Sequence, residues 1–469
     1  MTSKSDSATI NSRVITMKQP HKKKLSVFGF GTYRFENTSE HKNLLKQAIN
    51  KGITLIDTAP NYQDGKAETA IGNVLEELLY ENKLSRETLT IISKAGFLEG
   101  NTYEKYAKKY HSITHLPKNA GYCIEPEFLE TQLSESLKRL NLDFIDGYLL
   151  QNPETFFNEE KKSDTYYQNL KLAFEYLETE VANGRIKYYG ISSNTFEKNQ
   201  RNHNSISLAK LIEILDLIPN HHFKYIQCPF NLIENDHAKN DGGASFFETA
   251  QAHGFEIITN RPLNAIVNQQ LLKLVDVDTD SDITEIEIQD LLEAGVDNES
   301  TLSQLLADKE IPNLTQLTTL FEKLNEIFSN QITFFTYQAL LERVFLPQVD
   351  RLMASLETLN LDPSIESQLL QYFSLFNHTA KEISNYYKQV HQTTLIELKS
   401  SLQPYIDTNL PIHTLCLQTY KHTHSISATL IGIRTQEQLD SVIDNLNHSI
   451  LKDLKESFLW DTINFNTLV

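Results

Sequence analysis

Apolar runs of strand length alternate with amphipathic segments along most of this 469-residue chain, and that alternation limits the possible folds more than any other feature. The runs are Leu25 to Tyr33, Ile53 to Asp57, Leu89 to Lys94, Phe144 to Gln151, Ile186 to Ser192, Tyr225 to Phe230, Phe255 to Asn260 and Ala428 to Ile433. Between them Leu129, Leu133, Leu137 and Leu140 recur at helical spacing, as do Leu170, Phe174 and Leu177. About eight such strand-and-helix units is the count that closes a parallel (β/α)8 TIM barrel, which keeps its chemistry at the C-terminal ends of its strands. An open doubly wound sheet is the alternative. Against it, Gly29-Phe30-Gly31 lacks the third glycine of a dinucleotide fingerprint, and no acidic residue follows the second strand in the expected role.

One region breaks the rhythm. From Asn264 to about Pro404 no strand is evident and the pattern is amphipathic helix, so residues 264–404 read as an inserted helical subdomain. The barrel then comprises residues 12–263 and 405–469, opened by a short N-terminal β-hairpin from Arg13–Met17 and Leu25–Phe28. Because the insert follows the seventh strand, it leaves the barrel on the face that carries the chemistry, where a lid or a platform for a protein partner is expected.

The net charge of −18 argues against nucleic acid or an anionic membrane as a partner, since phosphates would be repelled. Lys22 to Lys24 is a basic cluster short enough to be a solvated turn. Cys123, Cys228 and Cys416 are few and far apart, which fits reduced thiols rather than a disulfide frame or a zinc site. The polar stretch Met1 to Asn11 has no signal-peptide core behind it, and no apolar run reaches the roughly 20 residues that span a bilayer. A cytoplasmic protein is expected.

Asp57 closes the second strand and Tyr62 follows on the loop beyond Pro60, while Lys94 ends the third strand. A tyrosine with an ordinary pKa of about 10 needs a shift of about three units, roughly 4 kcal/mol, to protonate a carbonyl most effectively near neutral pH. A neighbouring Lys94 ammonium would favour the phenolate, and Asp57 would hold that ammonium in place and charged. The alternative is a structural Asp57–Lys94 ion pair with Tyr62 as a rim aromatic.

Asp57 and Tyr62, followed by Gly65, Glu68 and Gly72, resemble the second-strand motif of the aldo-keto reductases, and Lys94 in Ile-Ser-Lys-Ala-Gly is similar to a third member of their catalytic tetrad. The resemblance covers about Ser26 to Leu263 and resumes at about Leu410 to Asn447. It is carried by the ordered set Gly29-Phe30-Gly31-Thr32, Asp57, Tyr62, Lys94, Asn152-Pro153-Glu154, Gln227, Pro262-Leu263 and Gly432-Ile433-Arg434. It implies a carbonyl reductase, or a dehydrogenase of the corresponding alcohols and sugars, acting by hydride transfer with Tyr62 as acid/base and a small-molecule carbonyl or alcohol as substrate. The fourth tetrad member departs from the pattern, because Gln151 stands where most relatives have histidine. A glutamine amide can orient a carbonyl oxygen but cannot transfer a proton. Gln151 is equally consistent with a site that only binds, so the rival reading is an NADP(H)-binding sensor acting through the insert.

The same resemblance implies a cofactor site of Gly31, Thr32, Tyr33, Asp57, Ser192, Asn194, Gln227, Pro262, Leu263, Gly432, Arg434 and Gln438. Ser192 matches the serine that holds the nicotinamide amide, Gln227 matches the glutamine of the sixth strand, and Asn194 is a substitute because Ser193 occupies the usual asparagine position. Asn260 stands where many relatives stack an aromatic on the nicotinamide, leaving Phe230 as the candidate replacement. Arg434, placed for a 2′-phosphate, points to NADP(H) over NAD(H). A surface arginine at a helix start is the competing reading. Asp276, Asp278, Asp280, Asp282 and Glu287 match the carboxylate spacing of a calcium loop, but Ser281 replaces its turn glycine. The stretch is read as a solvated acidic linker and no metal is expected.

Overall fold

A computed structural model describes residues 25–156, 163–198, 205–240, 242–279, 282–307, 319–357, 361–403, 408–449 and 460–461. The N-terminal hairpin expected from residues 13–28 and the basic turn at residues 22–24 fall largely or wholly outside them.

Eight parallel strands close a barrel: β1 (Phe28–Gly31), β2 (Leu55–Asp57), β3 (Thr90–Ala95), β4 (Ile145–Gln151), β5 (Ile186–Ser192), β6 (Phe223–Pro229), β7 (Glu256–Asn260) and β8 (Ala428–Gly432). They neighbour one another in chain order, and β8 lies between β7 and β1. The period of two along each strand sorts the side chains. Leu55, Ile92, Leu149, Tyr225, Ile258 and Leu430 form one buried cluster inside the barrel. Their chain neighbours Ile56, Ile91, Leu150, Ile226, Ile257 and Ile431 belong to the main core, which also takes in the apolar faces of the surrounding helices. Gly190 permits the closest approach in the wall, since a Cβ there would lie 1.9 Å from the Tyr225 carbonyl oxygen.

Two features depart from simple alternation. After β3 the chain forms a small antiparallel sheet of Phe97–Glu99, Thr114–Leu116 and Ala120–Tyr122, with the helix Gly100–Ala107 between its first two strands. After β7 comes a second departure, and here the expectation of helix alone from Asn264 is corrected. Asn264–Val267 pairs antiparallel with Gln270–Lys273. The two-residue turn holds Asn268 at φ 48° and Gln269 at φ 64°, and because neither is glycine the hairpin leaves little trace in the sequence.

The insert is otherwise helical, with Glu285–Leu306, Leu320–Ser329, Phe334–Leu340, Leu346–Glu357 and the 40-residue Pro363–Leu402 among the described residues. A π-turn at Leu341–Phe345 joins two of these just before Pro347, which has no N–H to give to the helical ladder. The insert has its own core, including Leu292, Phe321, Leu324, Tyr337, Leu352, Phe376 and Ile383. Farther along the long helix, Leu395, Leu398 and Leu402 join the barrel's main core instead. One helix therefore belongs to both cores. Helices Ile412–Lys421 and Gln436–Asn447 flank β8. No described helix is long and apolar enough to cross a membrane.

The acidic stretch that matched a calcium spacing is put to other uses. Asp276 accepts from Lys399 Nζ at 2.9 Å and from the Ile412 amide at 2.9 Å, tying the insert to the barrel rather than lying free in solvent. Glu287 completes a capping box with Thr284. Asp280 and Ser281 lie outside the described residues.

Candidate active site

Five barrel strands deliver their expected site residues at or near their C-terminal ends: Gly31 ends β1, Asp57 ends β2, Gln151 ends β4, Ser192 ends β5 and Gly432 ends β8. Lys94 sits one residue from the end of β3, and Gln227 two from the end of β6. The register aligns Gly31 with Asp57 and with Gly432, Gln151 with Ser192, and Ser192 with Gln227.

At the centre, Lys94 Nζ donates to Asp57 Oδ1 at 2.6 Å, to the Thr58 carbonyl at 2.9 Å and to Tyr62 Oη at 3.3 Å. Lys94 and Asp57 are almost fully buried. The chain of contacts continues on the other side, where Gln227 Nε2 donates to Asp57 Oδ2 at 2.8 Å and Ser192 Oγ donates to Gln227 Oε1 at 2.7 Å. Asp57 is thus gripped from both sides. Thr32 donates its hydroxyl to the Asp57 carbonyl at 2.9 Å, and Tyr33 meets Tyr62 edge-on with ring centroids 5.2 Å apart.

The loop carrying Tyr62 is strained and braced. Gln63 and Asp64 both sit at φ 53°, in the left-handed region, which costs about 1–2 kcal/mol per non-glycine residue. Gly65 follows at φ 81°, and a Cβ there would meet Arg139 Cδ at 2.8 Å. Arg139 in turn pairs with the buried Glu68 at 2.7 Å, whose other oxygen accepts from Ser93, the neighbour of Lys94, at 2.6 Å. The segment that begins the small sheet after β3 holds the loop from outside, with Asn61 donating to Glu99 at 2.8 Å and Asn101 to Asp64 at 2.9 Å.

Electrostatically the site corrects one expectation. Burial pushes the Tyr62 phenol above its ordinary range, with Lys94 opposing the shift and Asp57 adding to it. The expected downward shift fails because desolvation of a phenolate outweighs one ammonium whose charge is largely balanced by Asp57. Burial also works against the Lys94 charge, but Asp57 and Tyr62 together hold its pKa above the ordinary value. The group that results is a protonated phenol beside a permanent cation.

Gln151 is buried, and neither its Oε1 nor Asn260 Oδ1 at the end of β7 has a hydrogen-bond partner among the described residues. These unpartnered oxygens at two strand ends suit a ligand that brings donors. Asn194 is on the exposed loop after β5, its amide nitrogen donating to Asn152 Oδ1 at 3.3 Å and its backbone to Glu154 at 2.9 Å. Glu154 is pushed above the usual carboxylate range by burial. Pro262 gives its carbonyl to Tyr420 Oη at 2.9 Å, and Leu263 accepts from the Leu274 amide at 2.9 Å. Phe230 does not fill the place of the stacking aromatic: it is fully buried between Phe247, Tyr420 and Trp460, so its faces are taken by the core.

Arg434, just past β8, has company the sequence did not reveal. Its amide donates to Gln438 Oε1 at 2.8 Å, leaving the guanidinium at the rim. Lys273, in the hairpin after β7, is pushed below its ordinary pKa by burial and then by the charges of Arg34, past β1, and Arg434, with Glu342 opposing. Lys273, Arg434 and Arg34 follow β7, β8 and β1, which are neighbours in the barrel, so all three lie on one side of it. None of them has an ion-pair partner within salt-bridge distance among the described residues. Such a cluster suits phosphate groups. The sequence signals were a lysine at the end of an unrecognised strand and an arginine next to Tyr33.

A closed barrel of eight parallel strands, with a carboxylate, an ammonium and a phenol gathered at their C-terminal ends, places the chain in the class of (β/α)8 barrels. The sequence profile of the aldo/keto reductase family matches residues 27–319, well over half of the chain, and the chain belongs to that family. A putative voltage-gated potassium channel subunit beta of Schizosaccharomyces pombe is 27% identical over 224 residues, 46% of this chain and 54% of that protein. A methylglyoxal reductase of Escherichia coli is 32% identical over 173 residues, 36% of this chain and 46% of that protein. An NADH-specific methylglyoxal reductase of the same organism is 34% identical over 101 residues, 21% of this chain and 26% of that protein. The chain thus spans about half the length, or less, of these curated relatives. The solved glycerol dehydrogenase of Gluconobacter oxydans overlays with a TM-score of 0.50 at 14% identity, covering 95% of this chain and 93% of that one, which is a likeness of fold.

Proposed function

We propose that the chain is an NADP(H)-dependent oxidoreductase that reduces aldehydes or ketones, or oxidises the corresponding alcohols. The observation that carries this reading is the buried Asp57–Lys94 pair with Lys94 Nζ 3.3 Å from Tyr62 Oη. A charge pair is costly to bury, and here its ammonium faces a phenol rather than only closing an ion pair. NADPH, when bound, supplies the hydride. Tyr62, kept protonated by burial, donates its proton to the carbonyl oxygen, and Lys94 stabilises the phenolate left behind. Asp57 and Gln227 keep Lys94 charged and aimed, and Gln151 orients the substrate oxygen through its amide. Gly31, Thr32, Tyr33, Ser192, Asn194, Gln227, Pro262, Leu263 and Gly432 would line the cofactor, with Ser192 and Gln227 on its amide. Arg434, joined by Lys273 and Arg34, would hold its phosphates. The rim cations support NADP(H); one relative is named NADH-specific, so the choice between cofactors is measured directly. NADPH and NADH oxidation should be followed with a panel of aldehydes and ketones. Turnover with NADPH that is lost in Tyr62→Phe supports the proposal.

One observation favours a second reading. Gln151 cannot take part in proton transfer, which suits a barrel that binds NADP(H) as a sensor and signals through the insert to a protein partner. Bound NADPH that no carbonyl oxidises, together with activity gained in Gln151→His, would replace the first reading by the second.

A further inference from the structure

The insert reaches the hairpin that carries Lys273 through the start of the helix Phe334–Leu340. Thr333 caps the helix Phe334–Leu340, and it is tied to the second strand of the hairpin: its amide donates to Gln270 Oε1 at 2.7 Å and its hydroxyl to the Leu271 carbonyl at 2.7 Å. This attachment sets Phe335 over Lys273, with Nζ 4.1 Å from the ring centroid. His391 of the long helix backs the ring edge-on at 5.3 Å. Lys273 is partly buried, and Arg34 and Arg434 repel it against the weaker attraction of Glu342. A flexible lysine so placed would swing away unless something neutral and electron-rich faced it. The ring face does this, attracting the ammonium without neutralising its charge as a carboxylate would.

We infer that Phe335 is a positioning residue supplied by the insert, which holds Lys273 at the rim so that its ammonium, with Arg34 and Arg434, receives a phosphate of the cofactor. The inference rests on the reading of the site as a nicotinamide-cofactor site, and it gives the insert a role at the phosphate end of that site rather than as a lid over the substrate. The phosphate is either the 2′-phosphate or the pyrophosphate, and the test separates them.

Binding of NADPH, NADH, adenosine 2′,5′-bisphosphate and ADP should be measured by calorimetry on the full chain. Phe335→Leu keeps the apolar bulk and removes the ring, and should weaken NADPH, which carries both groups, by about three- to tenfold. Phe335→Trp should restore wild-type affinity. In a Lys273→Gln background, Phe335→Leu should cost nothing further. A loss confined to ligands with the 2′-phosphate assigns Lys273 to that group, and a loss shared by ADP and NADH assigns it to the pyrophosphate. Equal losses in Phe335→Leu and Phe335→Trp, additive losses with Lys273→Gln, or no loss at all would each overturn the inference. Those results leave the cofactor reading standing if wild-type protein binds NADPH or NADH. If wild-type protein binds none of the four ligands, both fall.

Discussion

The barrel and the insert each bury a carboxylate, and they keep it in different ways. Asp57 faces an ammonium at 2.6 Å and an amide N–H at 2.8 Å. Glu299, in the insert, has no cation within salt-bridge distance among the described residues. It accepts from the Phe321 amide at 2.8 Å, the Tyr372 hydroxyl at 2.7 Å and the Glu322 amide at 3.4 Å, so it sits at the N-terminus of the helix Leu320–Ser329. Burial raises the Glu299 pKa above the usual carboxylate range, against the pull of the Phe321 amide. In the barrel the carboxylate serves as the partner of a buried cation. In the insert the carboxyl serves as a buried acceptor, and a neutral acceptor could replace it.

The largest effect should come from the group the barrel's charge pair serves. Tyr62→Phe should lower turnover by about 10²- to 10⁴-fold with NADPH affinity nearly unchanged, measured by steady-state kinetics alongside a binding titration. If affinity falls in step with turnover, Tyr62 is holding the cofactor rather than donating a proton. Because the phenol is raised, reduction should stay level across neutral pH and decline only above about pH 10, while alcohol oxidation, which needs the phenolate, should rise with pH. A reductive profile that declines through neutral pH would place the phenol below its ordinary range.

Asp57→Asn should cost about 3–5 kcal/mol of barrel stability in denaturant unfolding, because it leaves Lys94 charged and uncompensated. Gln151→Ala removes one orienting hydrogen bond worth about 1–3 kcal/mol, so a loss of roughly five- to 150-fold in kcat/KM is expected. Glu299→Gln should be the mildest, at about 1 kcal/mol or less, since an amide oxygen still accepts from Phe321 and Tyr372. Its pH dependence sharpens the contrast. A carboxyl with a raised folded pKa gives its full stabilisation below its unfolded pKa of about 4.3 and loses it as pH rises through the folded value. Protection of the Phe321 amide from hydrogen exchange should therefore decrease over that window in wild type and stay flat in Glu299→Gln. Equal pH dependence in both would mean that Glu299 is not the titrating group.

Much of the barrel was legible because both of its periods are written in the chain. Leu55 and Ile56, or Leu149 and Leu150, face opposite sides of the wall, while Leu129, Leu133 and Leu137 mark a helix face. The positions of Asp57, Lys94 and Gln151 at strand ends followed from the same pattern. The hairpin at Asn264–Lys273 was not legible, because Asn268 and Gln269 take left-handed conformations usually given to glycine. The small sheet after β3 was missed because each strand is only three residues long. The direction of the Tyr62 shift was closed to sequence reasoning for another reason: neighbours can be guessed from motif spacing, but the extent of desolvation depends on everything packed around them. The gathering of Arg34, Lys273 and Arg434 needed the barrel order, which brings together residues hundreds of positions apart.

That same order governs how the chain reaches its native state. β8 pairs with β1, aligning Phe28 with Thr429, and with β7, aligning Ile258 with Ala428. During synthesis β1 and β7 emerge long before β8, and their free edges stay open to mispairing while the insert is being made. The insert's helices are local structures that form early, and the long helix, carrying Leu395, Leu398 and Leu402 into the barrel core, arrives just ahead of the segment that closes the ring. Ring closure therefore waits for β8, and the insert's last helix is the element synthesised just ahead of it.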